Sequence, residues 1–280
     1  MTLTLKLIKA LKMGVQEEKL PLLIAHAKRN KVLLGLLRRF RVRGLLRDRQ
    51  ERAYALVKRA VEEVYEVIEP FNACFFKFLK PVEYVPADLD VLVEERDRLK
   101  VEKILLKRGY RVLVREPYCT TLKKHVLVDL YVHPVVLNIA YLDGHILLRY
   151  THETSFNGLR VRALKPGVEA LVTVAHAFYK VRLYTLSDHL TFSTWFNRET
   201  VELAISQGCV DVLKLALETS RAIVSGVVEA PVRVPFLTFT SLLLTKLSKS
   251  ELSRRTAKKA PLKLFDRRLF NNLYLSLKPS

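Results

Sequence analysis

The stretch Asp88-Leu89-Asp90-Val91-Leu92-Val93, with a later counterpart Val126-Leu127-Val128-Asp129-Leu130-Tyr131-Val132, decides how this chain reads. Successive side chains of a strand point to opposite faces, so Asp88, Asp90 and Leu92 share one face and Leu89, Val91 and Val93 share an apolar one. In the second stretch Val126, Val128, Leu130 and Val132 fall on one side and Asp129 on the other. Three carboxylates are thus expected on the side of two β-branched strands that core packing does not require. Divalent cations of the Mg²⁺ type take clustered carboxylate oxygens plus waters and substrate phosphates, so the pattern predicts a metal site.

Working outward, Ala73 to Leu79 is an aromatic run suited to a buried strand, and Lys80 to Pro86 is a proline-punctuated loop. Arg96 to Arg108 reads as an amphipathic helix with Leu99, Val101, Ile104 and Leu105 inward, closed by Gly109 as a C-cap. Tyr110 to Arg115 is a strand, Pro117 a turn, and Lys124 to His133 the Asp129 strand. Val135 to Val161 reads as further strand and loop, with a hairpin turn at Asp143-Gly144.

Helical periodicity marks Leu20 to Leu37 and Asp48 to Ile68 before the strands. It returns after them, with Pro166 near a helix start, over Val168 to Tyr184, Ser187 to Phe196, Arg198 to Gln207, Val210 to Val227 and Phe236 to Leu252. Gly208 is an expected break, and Asp188 is expected to cap the Leu190 to Phe196 helix. The predicted class is α+β: a small mixed-sheet core over residues 70–165, a basic helical region over 1–69, a helical domain over 166–245 and a basic tail over 246–280.

Of 48 Lys and Arg, residues 1–60 hold 16 against 4 acids and residues 246–280 hold 10 against 2, leaving 22 against 22 between them. The whole net charge of +20 is therefore terminal, and it flanks a neutral middle that carries the aspartates. Basic ends of this kind attract polyanions by phosphate contact and counterion release. The nucleic-acid-binding candidates are Arg38, Arg39, Arg41 and Arg43 in the densest cluster, with Arg254, Arg255, Lys258 and Lys259 at the other end. A solvated basic surface is the competing reading.

Cys74, Cys119 and Cys209 lack metal-ligand spacing and suggest packing in a reducing interior. No cleavable leader is evident, and the longest apolar run, Pro235 to Thr245, is too short for a bilayer, so a cytoplasmic protein is expected. Three Gln and seven Asn among many charges suit a thermophile. Walker, dinucleotide-fingerprint, zinc-peptidase and nucleophile-elbow motifs are all missing.

Asp88-Leu-Asp90-Val-Leu-Val93, Gly109-Tyr110 after a helix, and Val128-Asp129-Leu130-Tyr131 together resemble the nucleotidyltransferase fold of the DNA polymerase β superfamily, and within it the poorly characterised prokaryotic nucleotidyltransferases. The likeness spans about residues 20–200, where Leu171 to Asp188 matches the helix that follows in such proteins. It implies that Asp88 and Asp90 hold two Mg²⁺ (or Mn²⁺) ions and that Asp129 is a third ligand or base. It further implies transfer of a nucleoside monophosphate from an NTP to a hydroxyl.

Where that superfamily usually carries Gly-Ser or Lys-Gly, this chain reads Phe76-Lys77-Phe78-Leu79-Lys80-Pro81. Lys77 and Lys80 are therefore the candidate phosphate contacts, joined by His176 and Lys180, which share a helix face at i and i+4. The basic ends favour an RNA acceptor, a tRNA or another structured RNA. The alternatives are a catalytically inactive module that docks on RNA or a ribonucleoprotein, and a small-molecule or protein nucleotidyltransferase.

Overall fold

The computed structural model describes residues 1–13 and 20–258. At its centre is a seven-stranded mixed sheet. Its strands are β1 (Ala73–Phe76), β2 (Asp88–Val93), β3 (Arg111–Arg115), β4 (Cys119–Lys123), β5 (Leu127–Tyr131), β6 (Thr151–Phe156) and β7 (Leu159–Leu164). The spatial order is β3-β4-β5-β2-β1-β7-β6. The β2–β5 and β1–β7 pairs are parallel and the other neighbours antiparallel. The architecture is α+β.

The parallel β2–β5 pair needs a crossover, which the Glu95–Lys107 helix and the β3–β4 hairpin supply. Gly109 ends that helix at φ 88°, a conformation in which a Cβ would be strained. Val101 and Leu105 are buried as the periodicity predicts. Leu99 is not: it is 58% exposed, because it falls outside the stripe that the sheet covers.

Both faces of the sheet are covered. Leu89, Val91, Val93, Val128 and Leu130 pack with Val61, Val64 and Ile68 of the Leu45–Ile68 helix. Leu92, Phe76, Cys119 and Tyr131 on the opposite face belong to a second apolar cluster with the N-terminal and C-terminal helices. The face carrying the aspartates is thus not the open one that strand alternation suggested. The three cysteines are free and buried, as packing residues should be.

The chain bends at Pro117 as expected, and β4 is a further strand between that bend and the Asp129 strand; its pattern, Cys-Thr-Thr-Leu-Lys, has no continuous apolar run to mark it. The expected hairpin at Asp143-Gly144 is instead a helix start, where the Asp143 carboxylate accepts from the His145 N–H at 2.9 Å. Gly144 is required there, since a Cβ would meet the Val132 carbonyl oxygen at 1.8 Å. Pro166 opens the Pro166–His176 helix at its first turn, and Asp188 forms a capping box with Thr185, both as expected. Gly208 separates the Arg198–Ser206 and Val210–Val224 helices at φ 62°. Among the described residues no helix is long and apolar enough to cross a membrane.

The run from Leu20 to Leu37 is two helices, Leu20–Arg29 and Leu33–Arg39, broken where Lys31 adopts φ 58°. The break is fixed by Asn30, fully buried, whose amide donates to the carbonyls of His26 and Ala230 at 3.0 Å each. Its Oδ1 accepts from the Leu186 N–H at 2.9 Å. Replacing Asn30 with Ala strands the buried Ala230 carbonyl and the Leu186 N–H, while the His26 carbonyl keeps the backbone N–H of residue 30. Asn30→Ala is therefore expected to lower unfolding free energy by roughly 3 kcal/mol in a denaturant titration, with no new exposed charge to explain it.

Candidate functional site

The strand register brings the aspartates together. In the parallel β2–β5 pair Asp90 lies directly opposite Asp129, and Asp88 is two residues along on the same face. One carboxylate oxygen from each of Asp88, Asp90 and Asp129 lies within 4.8 Å of the others. Asp90 is only 5% exposed, whereas Asp88 and Asp129 are half-buried toward solvent. Carboxylates this close cannot all remain charged in a poorly solvated setting unless cations compensate them.

Lys77 supplies one compensating charge. Its Nζ is 2.8 Å from Asp90 Oδ1, with both side chains nearly excluded from water. That oxygen nevertheless accepts no well-aligned hydrogen bond, so the contact is an ion pair whose direction leaves a lone pair unused. Burial pushes the Asp90 carboxyl up to about 6, against the pull of the Lys77 ammonium and with the repulsion of Asp88 added. Lys77 reaches this position because it ends β1 at φ 55°, and the Tyr84 hydroxyl holds the turn by donating to the Lys77 carbonyl at 2.9 Å.

Asp129 is held through both of its oxygens. The Thr121 hydroxyl on β4 donates to Oδ1 at 2.6 Å, and the Tyr131 hydroxyl donates to Oδ2 at 3.2 Å. That same hydroxyl accepts from Lys180 Nζ at 2.6 Å, so one oxygen serves as donor and acceptor in a chain from lysine to carboxylate. The Tyr131 ring also has Lys77 and Lys180 ammoniums 5.3 and 5.0 Å from its centroid.

His176 Nδ1 lies 3.4 Å from Lys77 Nζ and 3.3 Å from the Tyr141 hydroxyl. The Lys77 ammonium can only donate, so Nδ1 is the accepting nitrogen. Burial, with the Lys77 charge next, holds the imidazole well below its ordinary pKa and therefore neutral. Lys80 donates to Thr173 Oγ1 at 2.9 Å on the Pro166–His176 helix. The candidate phosphate contacts Lys77, His176 and Lys180 thus gather around the aspartates, while Lys80 is turned toward that helix.

Tyr131 and Tyr84 are near the aspartates in sequence, but their bonding is a product of the fold. Thr121, Tyr141 and Glu169 were not legible as site residues. Glu169 is a solitary carboxylate within the apolar run from Val168 to Ala175, and that isolation is the one signal the sequence carries.

The basic candidates differ in availability. Arg38 is bound by Glu51 at 2.7 Å, lies 3.6 Å from Glu83 and stacks over Tyr54. Arg39, Arg41 and Arg43 are exposed, and Arg39 gives one hydrogen bond to the Lys12 carbonyl. Arg254, Arg255 and Lys258 are exposed at the other end, Arg254 donating to the Leu247 and Ser248 carbonyls. Lys259 lies outside the described residues.

No protein-family model and no curated protein matches the chain. Among solved structures, the lincomycin-bound lincosamide antibiotic adenylyltransferase LnuA is similar over 48% of this chain and 92% of its own, at 14% identity and a TM-score of 0.34. The antibiotic-resistance factor ANT(2'')-Ia, solved in solution, is similar over 63% of this chain and 97% of its own, at 12% identity and a TM-score of 0.37. Overlap that small carries no inference about this chain's activity.

Burial raises the Glu169 carboxyl from the ordinary 4.5 to about 7, opposed by Lys80 and by the Lys77 backbone N–H. A carboxyl that holds its proton more tightly when folded stabilises the protein below pH 4.5, and that contribution is lost as pH rises to about 7. The loss is on the order of 3 kcal/mol. Glu169→Gln is expected to flatten the fall in melting temperature between those limits, which thermal unfolding across the pH series measures.

Proposed function

We propose that this protein is a divalent-metal-dependent nucleotidyltransferase that moves a nucleoside monophosphate from an NTP to a hydroxyl. The observation that carries the reading is the convergence of Asp88, Asp90 and Asp129 on two adjacent parallel strands. An all-carboxylate donor set suits Mg²⁺ or Mn²⁺, and the buried Asp90 Oδ1, 2.8 Å from Lys77 Nζ, is an oxygen already set against a positive charge. Asp88, Asp90 and Asp129 would hold the metal. When bound, it neutralises phosphate charge and lowers the pKa of the attacking hydroxyl.

The chain's own groups prepare that chemistry. Thr121 and Tyr131 fix the plane of the Asp129 carboxylate, which otherwise rotates freely. Lys180, whose ammonium already donates to Tyr131, stands as a point charge for phosphate oxygens on the open side. Lys77 keeps Asp90 charged in the metal-free protein and is placed to transfer its ammonium to phosphate when a cation replaces it. In this role it takes the place of the missing glycine-serine backbone cradle. His176, neutral and accepting, positions the Lys77 ammonium without adding charge.

RNA is the favoured acceptor class, because Arg39, Arg41, Arg43, Arg254, Arg255 and Lys258 are exposed and the chain's excess charge is confined to its ends. A second reading has a specific observation behind it. Lys77 on Asp90 already neutralises the buried carboxylate, and a permanent ion pair there would leave an RNA-docking module with no transfer activity.

Purified protein with Mg²⁺ or Mn²⁺, each labelled NTP and total RNA is expected to label RNA, with Asp88→Ala and Asp90→Ala each reducing transfer at least ~100-fold. Absence of transfer to RNA and to small hydroxyl acceptors, with RNA binding unchanged in those variants, would establish the docking reading instead. Separately, Arg39→Ala with Arg41→Ala and Arg43→Ala is expected to weaken RNA binding and to flatten the plot of log K against log salt. The slope should fall by about one for each phosphate that the variant no longer neutralises. A binding isotherm at several salt concentrations checks this, and salt-independent binding would remove RNA from the reading.

A further inference from the structure

A cavity of about 200 Å³ lies between residues 140–146, the end of the Arg198–Ser206 helix and the joint between the Phe236–Lys249 and Glu251–Ala257 helices. It is much larger than the roughly 30 Å³ of one water. Gln207 and Lys246 both line it, and each is a buried donor with unfinished bonding.

Lys246 is 2% exposed. Its ammonium donates to the Gln207 carbonyl and lies 3.4 Å from Cys209 Sγ, both uncharged partners. Among the described residues no carboxylate pairs with it, and two contacts leave one of its three N–H groups over. Gln207 is 6% exposed. Its Oε1 accepts from the Asp143 N–H at 2.9 Å, which fixes the orientation of the amide. The NH₂ group is therefore a true donor, and it has no partner. A buried ammonium without a counter-ion and a buried amide without an acceptor are each costly, and here both residues line one space.

The other charged groups around the cavity are less buried. Lys249 is paired with Asp211 at 2.8 Å. The Asp143 carboxylate accepts from the His145 N–H and lies 3.6 Å from His133 Nδ1. Glu251 is exposed in the first turn of its helix. Of the charged residues that line the cavity Lys246 alone is buried, and among the described residues no opposite charge touches it.

We infer that this cavity binds the carboxylate group of a small molecule, gripped by Lys246 Nζ and the Gln207 amide. A carboxylate brings one negative charge to match one ammonium and two oxygens to meet two donors. A phosphate dianion would bring excess negative charge beside Asp143 and Glu251. The site is separate from Asp88, Asp90 and Asp129, and it does not depend on what those residues do.

The test uses the full ¹⁵N-labelled chain titrated with sodium acetate at constant ionic strength, with sodium chloride and inorganic phosphate as comparators. The readout is the Asp143 backbone amide resonance, which every variant keeps, together with the Gln207 side-chain amide resonances where that group is present. Acetate is expected to shift them saturably and chloride not at all. Lys246→Met and Gln207→Glu are each expected to weaken acetate binding at least tenfold, while Asp88→Ala leaves it unchanged. Gln207→Glu keeps the oxygen that accepts from Asp143, so it decides the matter if Lys246→Met fails to fold. Equal shifts with chloride, tighter binding of phosphate than of acetate, or retention of acetate binding in Gln207→Glu would overturn the assignment.

Discussion

Three carboxylates within 4.8 Å of one another repel, and most of what surrounds them in this protein answers that repulsion. The parallel register of β2 and β5 forces the approach, since Asp90 and Asp129 are directly paired and neither can move without shifting every apolar neighbour to the wrong face. Leu89, Val91, Val128 and Leu130 lock that register by packing under the Leu45–Ile68 helix. The stability of the apolar layer thus holds the charged layer together against its own repulsion.

Compensation comes from outside the two strands. Lys77 reaches Asp90 from the end of β1, and Lys180 acts on Asp129 through the Tyr131 hydroxyl from the far side of the helical region. These two cations share the Tyr131 ring, which spaces them and keeps both near the carboxylates. An internal cation can leave when a stronger one arrives, whereas a permanently apolar replacement could not. The same physics, a buried charge seeking a counter-ion, recurs at Lys246, where the compensating group is to come from solution.

In the proposed reading, the turn after β1 serves by different chemistry what a glycine-serine loop would serve. A glycine-serine loop offers backbone N–H groups to an anion, which requires close approach of the main chain. Here Lys77 takes the left-handed conformation, and its long side chain carries the ammonium to Asp90. Tyr84 holds that conformation by bonding to the carbonyls of Lys77 and Phe78.

Strand alternation around Asp88, Asp90 and Asp129, the Gly109 cap, the Pro166 start and the Asp188 cap were legible in the sequence, because each depends on residues within a few positions of one another. The α+β class followed from those local periods. What only the tertiary structure decided is which distant groups meet the aspartates: Thr121 on a strand without an apolar run, and Lys180 acting through a tyrosine. Burial of the aspartate face was equally invisible, since a polar residue on a strand looks the same whether water or a second helical layer lies above it. Local pattern sets which way a side chain points. Its partners, its solvation and hence its charge are set by elements far away in the chain, as Lys180 is from Tyr131 and His176 from Lys77.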